Sequence, residues 1–189
     1  MSDWFVQDCI EADLSALLIS AIESGEISID TRDGDDRTSL MVAIELEKTE
    51  LVEVLLVLGG DANGKSNDGE TCLSRAIDRG NFELLKLLVD AGAAIELASS
   101  GFYTPLTLAA VRGNLAMIDY LLQKGANIEA SGEMDETPLI EACFFGQAEA
   151  VAFLLIQGAD RTAKDAFGQT ALDVASAQSH ENVIAHLRA

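Results

Sequence analysis

The 189-residue sequence predicts an all-α fold, a solenoid of stacked helix-turn-helix units joined by β-turn loops, and three observations predict it. Thr38, Thr71, Thr104, Thr137 and Thr170 recur every 33 residues. Gly59, Gly92, Gly125 and Gly158 keep the same interval, and Gly80, Gly113 and Gly146 form a third ladder. Between these markers each unit carries two apolar clusters with the i, i+3, i+4 spacing of a helix face. Only two prolines, Pro105 and Pro138, and 5% aromatic residues argue the same way, against a β-sandwich.

Residues 1–32 form a degenerate N-terminal capping unit. Val6, Cys9, Ile10, Leu17, Leu18, Ala21 and Ile22 take its apolar positions, and Asp3, Asp8, Glu11 and Asp13 face outward. Its Gly25 precedes Gly59 by 34 residues, one more than the period. Residues 33–65 pair Leu40 and Ile44 with Leu51, Val52, Leu55 and Leu56. In residues 66–98 the set is Leu73 and Ile77, then Leu84, Leu85, Leu88 and Val89. Residues 99–131 supply Leu106, Ala109 and Ala110, then Met117, Ile118, Leu121 and Leu122. Residues 132–164 supply Leu139 and Cys143, then Val151, Leu154 and Leu155. Residues 165–189 close the series, with Ser176, Ser179 and Arg188 where internal units carry apolar residues or glycine, the polar outer face of a terminal cap.

The glycine between the clusters permits the turn that ends the first helix, and the glycine after the second suits a C′ position. A helix pair of this size cannot bury both of its apolar faces alone, so neighbouring units must stack into one core. Ala43, Ala76, Ala109 and Ala142 let the short helices approach. The whole, residues 1–189, is expected to be one complete domain without linkers.

These residues resemble the ankyrin repeat. Its T-P-L-H-x-A-A signature is partly kept in Thr104-Pro105-Leu106-Thr107-Leu108-Ala109-Ala110 and in Thr137-Pro138-Leu139-Ile140-Glu141-Ala142. Gly125-Ala126-Asn127 and Gly158-Ala159-Asp160 match a further part. The chain departs from the pattern where Ser39, Cys72 and Ala171 replace the proline, where Glu47 replaces a turn glycine, and in lacking the signature histidine in all five copies.

Composition narrows the function. Twelve basic against 32 acidic residues give a net charge of −20, which repels phosphate backbones and anionic lipid and attracts a basic partner. Nucleic-acid and membrane binding are therefore disfavoured. Cys9, Cys72 and Cys143 are odd in number and lack C-x-x-C spacing, which suggests neither disulfide nor zinc site and fits a reducing compartment. Cys72 and Cys143 fall on buried helix positions, where packing outweighs reactivity. With no basic n-region at the N-terminus and no long apolar run, a cytoplasmic location is expected. The only histidines, His180 and His186, sit on different faces of the last helix. Asp33-Gly34-Asp35-Asp36 fails the calcium-loop spacing, and no glycine-rich phosphate loop appears. The expectation is a non-enzymatic protein without metal or cofactor, monomeric before it meets its partner.

By resemblance, ankyrin repeats recognise partners with the β-turn tips and the concave face of their first helices. Those positions here hold two features. Phe102, Tyr103, Met134, Phe144, Phe145 and Phe167 are expected to face solvent on consecutive units, and such rings either anchor an interface or fold back onto a neighbouring unit. Asp33, Asp35, Asp36, Asp68, Glu70 and Asp78 should line the same strip, joined by Asp135 and Glu136. Residues 1–64 alone hold 15 acids against Arg32, Arg37 and Lys48. The acids either recognise a basic partner or only solvate the surface. Two functions are compatible with these features: an acidic inhibitor or immunity-type protein that occupies a basic partner, or a scaffold that links two proteins.

Overall fold

Each threonine of the 33-residue ladder caps a helix, because a hydroxyl at the N-cap satisfies a backbone N–H that the helix leaves without a partner. In the computed structural model, which describes residues 5–188 and, for residues 5 and 6, only the backbone, the threonine oxygens accept from backbone N–H groups three residues on. Thr38 takes that of Met41, Thr71 that of Ser74, Thr104 that of Thr107, Thr137 that of Ile140 and Thr170 that of Asp173. Ser74 and Asp173 return the bond and complete capping boxes. Pro105 and Pro138 follow their caps at the first helical position, where a missing N–H costs nothing.

The described residues contain twelve α-helices: α1 (Phe5–Glu11), α2 (Ser15–Glu23), α3 (Ser39–Glu45), α4 (Thr49–Val57), α5 (Cys72–Asp78), α6 (Phe82–Asp90), α7 (Pro105–Val111), α8 (Leu115–Gln123), α9 (Pro138–Phe144), α10 (Ala148–Ile156), α11 (Ala171–Ala177) and α12 (Glu181–Arg188). A single 3-10 turn spans Ser100–Phe102. No strand occurs among the described residues; isolated antiparallel bridges join Arg32 to Thr38, Lys65 to Thr71 and Lys164 to Thr170 and close three of the turn tips. The fold is the all-α repeat solenoid that the sequence predicts.

The chain divides into two compact units, Met1–Ala94 and Ile95–Ala189. In the first, α3 packs against α1, α4 and α5, and α4 and α5 both pack against α6. In the second, α9 packs against α7, α10 and α11, α8 packs on α7 and α10, and α12 on α10 and α11. Between successive repeats a carboxylate or amide oxygen reaches forward to a backbone N–H. Asp30 accepts from Asp61, Asn63 from Ala94, Glu96 from Asn127 and Glu129 from Asp160, at 3.4, 2.7, 2.8 and 2.8 Å. Both ends of this ladder keep the 33-residue period.

The cores follow the sequence pattern. Leu40, Ile44, Leu73, Ile77, Leu106, Leu139 and Cys143 of the first helices are buried, as are Leu51, Leu55, Leu84, Leu88, Met117, Leu121, Val151 and Leu154 of the second. Ala43, Ala76, Ala109 and Ala142 are fully enclosed. Ile22, Leu56, Val89, Leu122 and Leu155, at the edge of the apolar stripe, are half-buried. Cys9, Ile10, Leu18 and Ala21 are buried as expected, but Leu17 corrects the assignment for the first unit: it is 51% exposed. Leu18 and Ala21, three apart, define the buried stripe of α2, and a residue one step before Leu18 projects about 100° away from it. Asp8, Glu11 and Asp13 are exposed. Asp3 and the side chain of Val6, placed outward and inward by the sequence, lie outside the described residues. Ser176, Ser179 and Arg188 are exposed.

Three columns of the repeat have a left-handed backbone, the first being Gly25, Gly59, Gly92, Gly125 and Gly158 after the second helix, with φ of 76–95°. After the first helix Gly80, Gly113 and Gly146 have φ of 67–71°, and Glu47 and Ser179 hold the same conformation at 53° and 60°. At the turn tips the column is Asp36, Gly69, Phe102, Asp135 and Gly168, with φ of 61°, 80°, 64°, 58° and 78°.

Candidate partner-binding site

A tip must turn the chain within four residues, and its first residue anchors that turn. Asp33 Oδ1 accepts from the backbone N–H groups of Asp35 and Arg37, and Asp165, 132 residues on at the same repeat position, accepts likewise from Phe167 and Gln169. Both aspartates are consequently buried, Asp33 to 8% exposure. Burial pushes the Asp33 carboxyl up, but bonds from the Arg37 side chain and from the two backbone N–H groups outweigh it and hold the group below the usual carboxylate range. Asp33 therefore serves its own turn and does not present its carboxylate to solvent as the sequence reading expected.

The other acids of the first unit are also engaged. The Arg37 guanidinium contacts Asp33 at 2.7 Å, Asp35 at 3.3 Å and Glu45 at 2.8 Å. Glu45 pairs in turn with Arg75, which reaches Asp68 at 3.4 Å. Asp36 pairs with Arg32 at 3.1 Å, and Arg32 also donates to the Lys65 carbonyl oxygen. Asp68 accepts from the Ser66 hydroxyl, and Glu70 from that of Ser74. Asp35, Asp68 and Asp78 stay exposed while Asp36 and Glu70 are half-buried. Among the first unit's tips, then, most acids of the strip are bound to three arginines of the same chain.

The second unit differs. Phe102, Met134, Phe144, Phe145 and Phe167 are all exposed, Phe167 to 71%, while Tyr103 is half-buried. Phe144 ends α9 and Phe145 caps it; their rings meet edge to face with centroids 5.2 Å apart. Asp135 is exposed at the next tip, and half-buried Glu136 accepts from the Met134 N–H at 3.1 Å.

Beside these rings lies a hollow of about 280 Å³, lined by Tyr103, Glu136, Glu141, Phe144, Asp165 and Phe167 among others. Its wall carries the functional group that the sequence reading passed over. Glu141 is 8% exposed; Tyr103 donates to its carboxylate, yet its Oε2 has no hydrogen-bond partner. Burial first, then the neighbouring Glu136 charge, push the Glu141 carboxyl up to about 7, against the lowering effect of the Tyr103 bond. Tyr103 itself is raised by burial and by Glu141 and Glu136.

The remaining candidates are structural. Cys9, Cys72 and Cys143 are buried free thiols, and burial pushes Cys72 and Cys143 up to about 12, which leaves them unreactive. His180 places Nε2 3.1 Å from the Phe144 carbonyl oxygen, just as Gln147 donates to that of Val111 one repeat earlier. No helix among the described residues is long and apolar enough to cross a membrane.

A family model described as ankyrin repeats (3 copies) matches residues 7–99, 40–132 and 96–165. The chain belongs to the ankyrin-repeat family. Ankyrin repeats are protein-interaction modules, and this chain is accordingly a protein-interaction module. No curated protein matches it. Within these ankyrin repeats the position four residues after the capping threonine is Val42, Arg75, Leu108, Glu141 and Val174. That column could have exposed Glu141 from the sequence, since a carboxylate there stands where three repeats bury an aliphatic side chain.

Proposed function

We propose that this ankyrin-repeat protein is an acidic inhibitor or immunity-type protein that occupies a basic partner, and that the turn tips and first helices of its second unit make the contact. The observation that carries the reading is the run of exposed rings, Phe102, Phe144, Phe145 and Phe167, beside a hollow whose carboxylates, Glu136, Glu141 and Asp165, share its lining with no basic side chain. Rings bury large areas with few rotors to freeze, and they anchor interfaces for that reason. Glu136, Asp135 and the Glu141 hollow set the charge preference, and the net charge of −20 speeds encounter with a cationic surface. The paired acids of the first unit contribute to that long-range field and less to direct contact. In this reading the protein is a cytoplasmic monomer that uses no cofactor.

The test is affinity capture of partners on the wild-type chain and on a Phe144→Ala/Phe145→Ala variant, washed at low and moderate salt. A basic protein retained by the wild type, lost from the variant and weakened by salt is the expected result. A partner held equally by both baits at both salts would place the interface elsewhere. Simultaneous retention of two proteins in one complex would replace the inhibitor with the scaffold.

A further inference from the structure

Charged side chains at the fourth position after the capping threonine occur twice in this chain, and the two cases are handled differently. Arg75 sits in that column in the first unit and pairs with Glu45, which lies three residues C-terminal to the same column in the preceding repeat. A buried charge there needs a countercharge, and the preceding repeat provides it. Glu141 sits in the same column in the second unit. The position corresponding to Glu45 is then Val111, which is buried and apolar. No cation lines the hollow, although the Arg112 charge reaches Tyr103 from outside it: Tyr103 gives one hydrogen bond, Oε2 is left without a partner, and Glu136 and Asp165, the other ionisable groups of the hollow apart from Tyr103, are acids.

We infer that the hollow beside α9 receives an arginine side chain of the protein partner, its guanidinium pairing with the Glu141 carboxylate against the rings of Phe144 and Phe167. The inference rests on the inhibitor reading for the identity of the partner as a basic protein, and it adds the subsite that recognises it. Several features select arginine. The hollow, at about 280 Å³, falls below the size of sites for drug-like ligands and suits a single long side chain. A planar guanidinium stacks on aromatic faces, matches a carboxylate with parallel N–H donors and sheds water more readily than an ammonium. Asp165, Glu136 and Glu141 each use one oxygen within the chain, and of these carboxylates only that of Glu141 has a buried oxygen, Oε2, without a donor. A larger hollow of about 530 Å³ in the first unit, between Asp13, Ser15, Lys48 and Val54, lacks these features: it already contains a cation, Lys48, paired with Asp13 at 3.0 Å, and no unsatisfied buried group lines it.

The probe is a five-residue capped peptide with arginine between glycines, titrated into the isotopically labelled full-length chain and followed by amide chemical shifts. Matched peptides carry citrulline, a neutral near-isostere, or lysine at the centre. The arginine peptide is expected to shift the signals of Tyr103, Glu141, Phe144 and Phe167 saturably, and citrulline to leave them in place. Glu141→Gln, which keeps the shape and the Tyr103 acceptor, should weaken the arginine peptide about tenfold or more. Phe167→Ala, at an exposed tip outside the core, provides a second variant whose folding is secure and should weaken it as well. Shifts spread over the acidic surface, unaltered by both variants, or reproduced by citrulline or lysine would overturn the assignment. Because the titration needs no natural partner, its failure is separable from failure of the inhibitor reading: a captured basic protein released by Phe144→Ala/Phe145→Ala but indifferent to Glu141→Gln keeps the interface and removes the arginine subsite.

Discussion

Phe102 occupies a left-handed backbone position that the same column gives to glycine at Gly69 and Gly168. For a bulky side chain this conformation costs about 1–2 kcal/mol, and a ring that is 52% exposed recovers little from the core in return. Phe102→Gly should therefore raise stability by about 1 kcal/mol in denaturant unfolding while weakening partner capture, since the ring is lost from the interface. Glu47, in another left-handed column, separates the two effects: Glu47→Gly should stabilise by a similar amount and leave capture unchanged. Glu141 makes a third statement at this scale. Its folded carboxyl lies at about 7 against an ordinary value of 4.5, so the native state holds the proton more tightly than the unfolded chain. Stability from this group is intact below pH 4.5, falls as pH rises between 4.5 and 7, and is lost above, a change of about 3 kcal/mol. The pH dependence of unfolding, measured as wild type minus Glu141→Gln, should show that slope; a flat difference would mean that the group is solvated.

At the scale of elements, the helices were legible because period and cap coincide. Thr38, Thr71, Thr104, Thr137 and Thr170 mark helix starts, and the apolar columns behind them predict nearly every core residue. Thr71→Ala, which removes the side-chain acceptor of a capping box but keeps the residue-71 N–H that donates to Ser74, should cost about 1 kcal/mol. Leu17 was misplaced because its counterpart in the next repeat, Leu51, is buried, whereas α2 buries only Leu18 and Ala21 and Leu17 lies about 100° off that stripe. The charged residues were harder. Sequence position marks Asp33 as a tip residue, but its burial follows from the hydrogen bonds of an Asx turn, and those are visible only when Asp33 is aligned with Asp165. The Arg37 network spans Gln7, Asp33 and Glu45, a path of side chains that no local spacing encodes. Phe102, Phe144, Phe145 and Phe167 are exposed as the sequence suggests, but Tyr103 is half-buried against Glu141, which was itself hidden inside a signature motif that draws attention to its neighbours.

For the molecule as a whole, the excess of 20 negative charges acts over distances of about a Debye length and should make association rates fall with added salt more than dissociation rates rise. Stopped-flow binding to the captured partner at two ionic strengths measures that ratio. The link from each repeat to the next is of another kind. Asp30, Asn63, Glu96 and Glu129 each grip a main-chain N–H of the following repeat. A main-chain N–H is offered by every residue except proline. This part of the joint, unlike the Arg75–Glu45 pair, places no demand on the side chains of the module it holds, which helps to make the length of such a protein an inheritable variable in its own right.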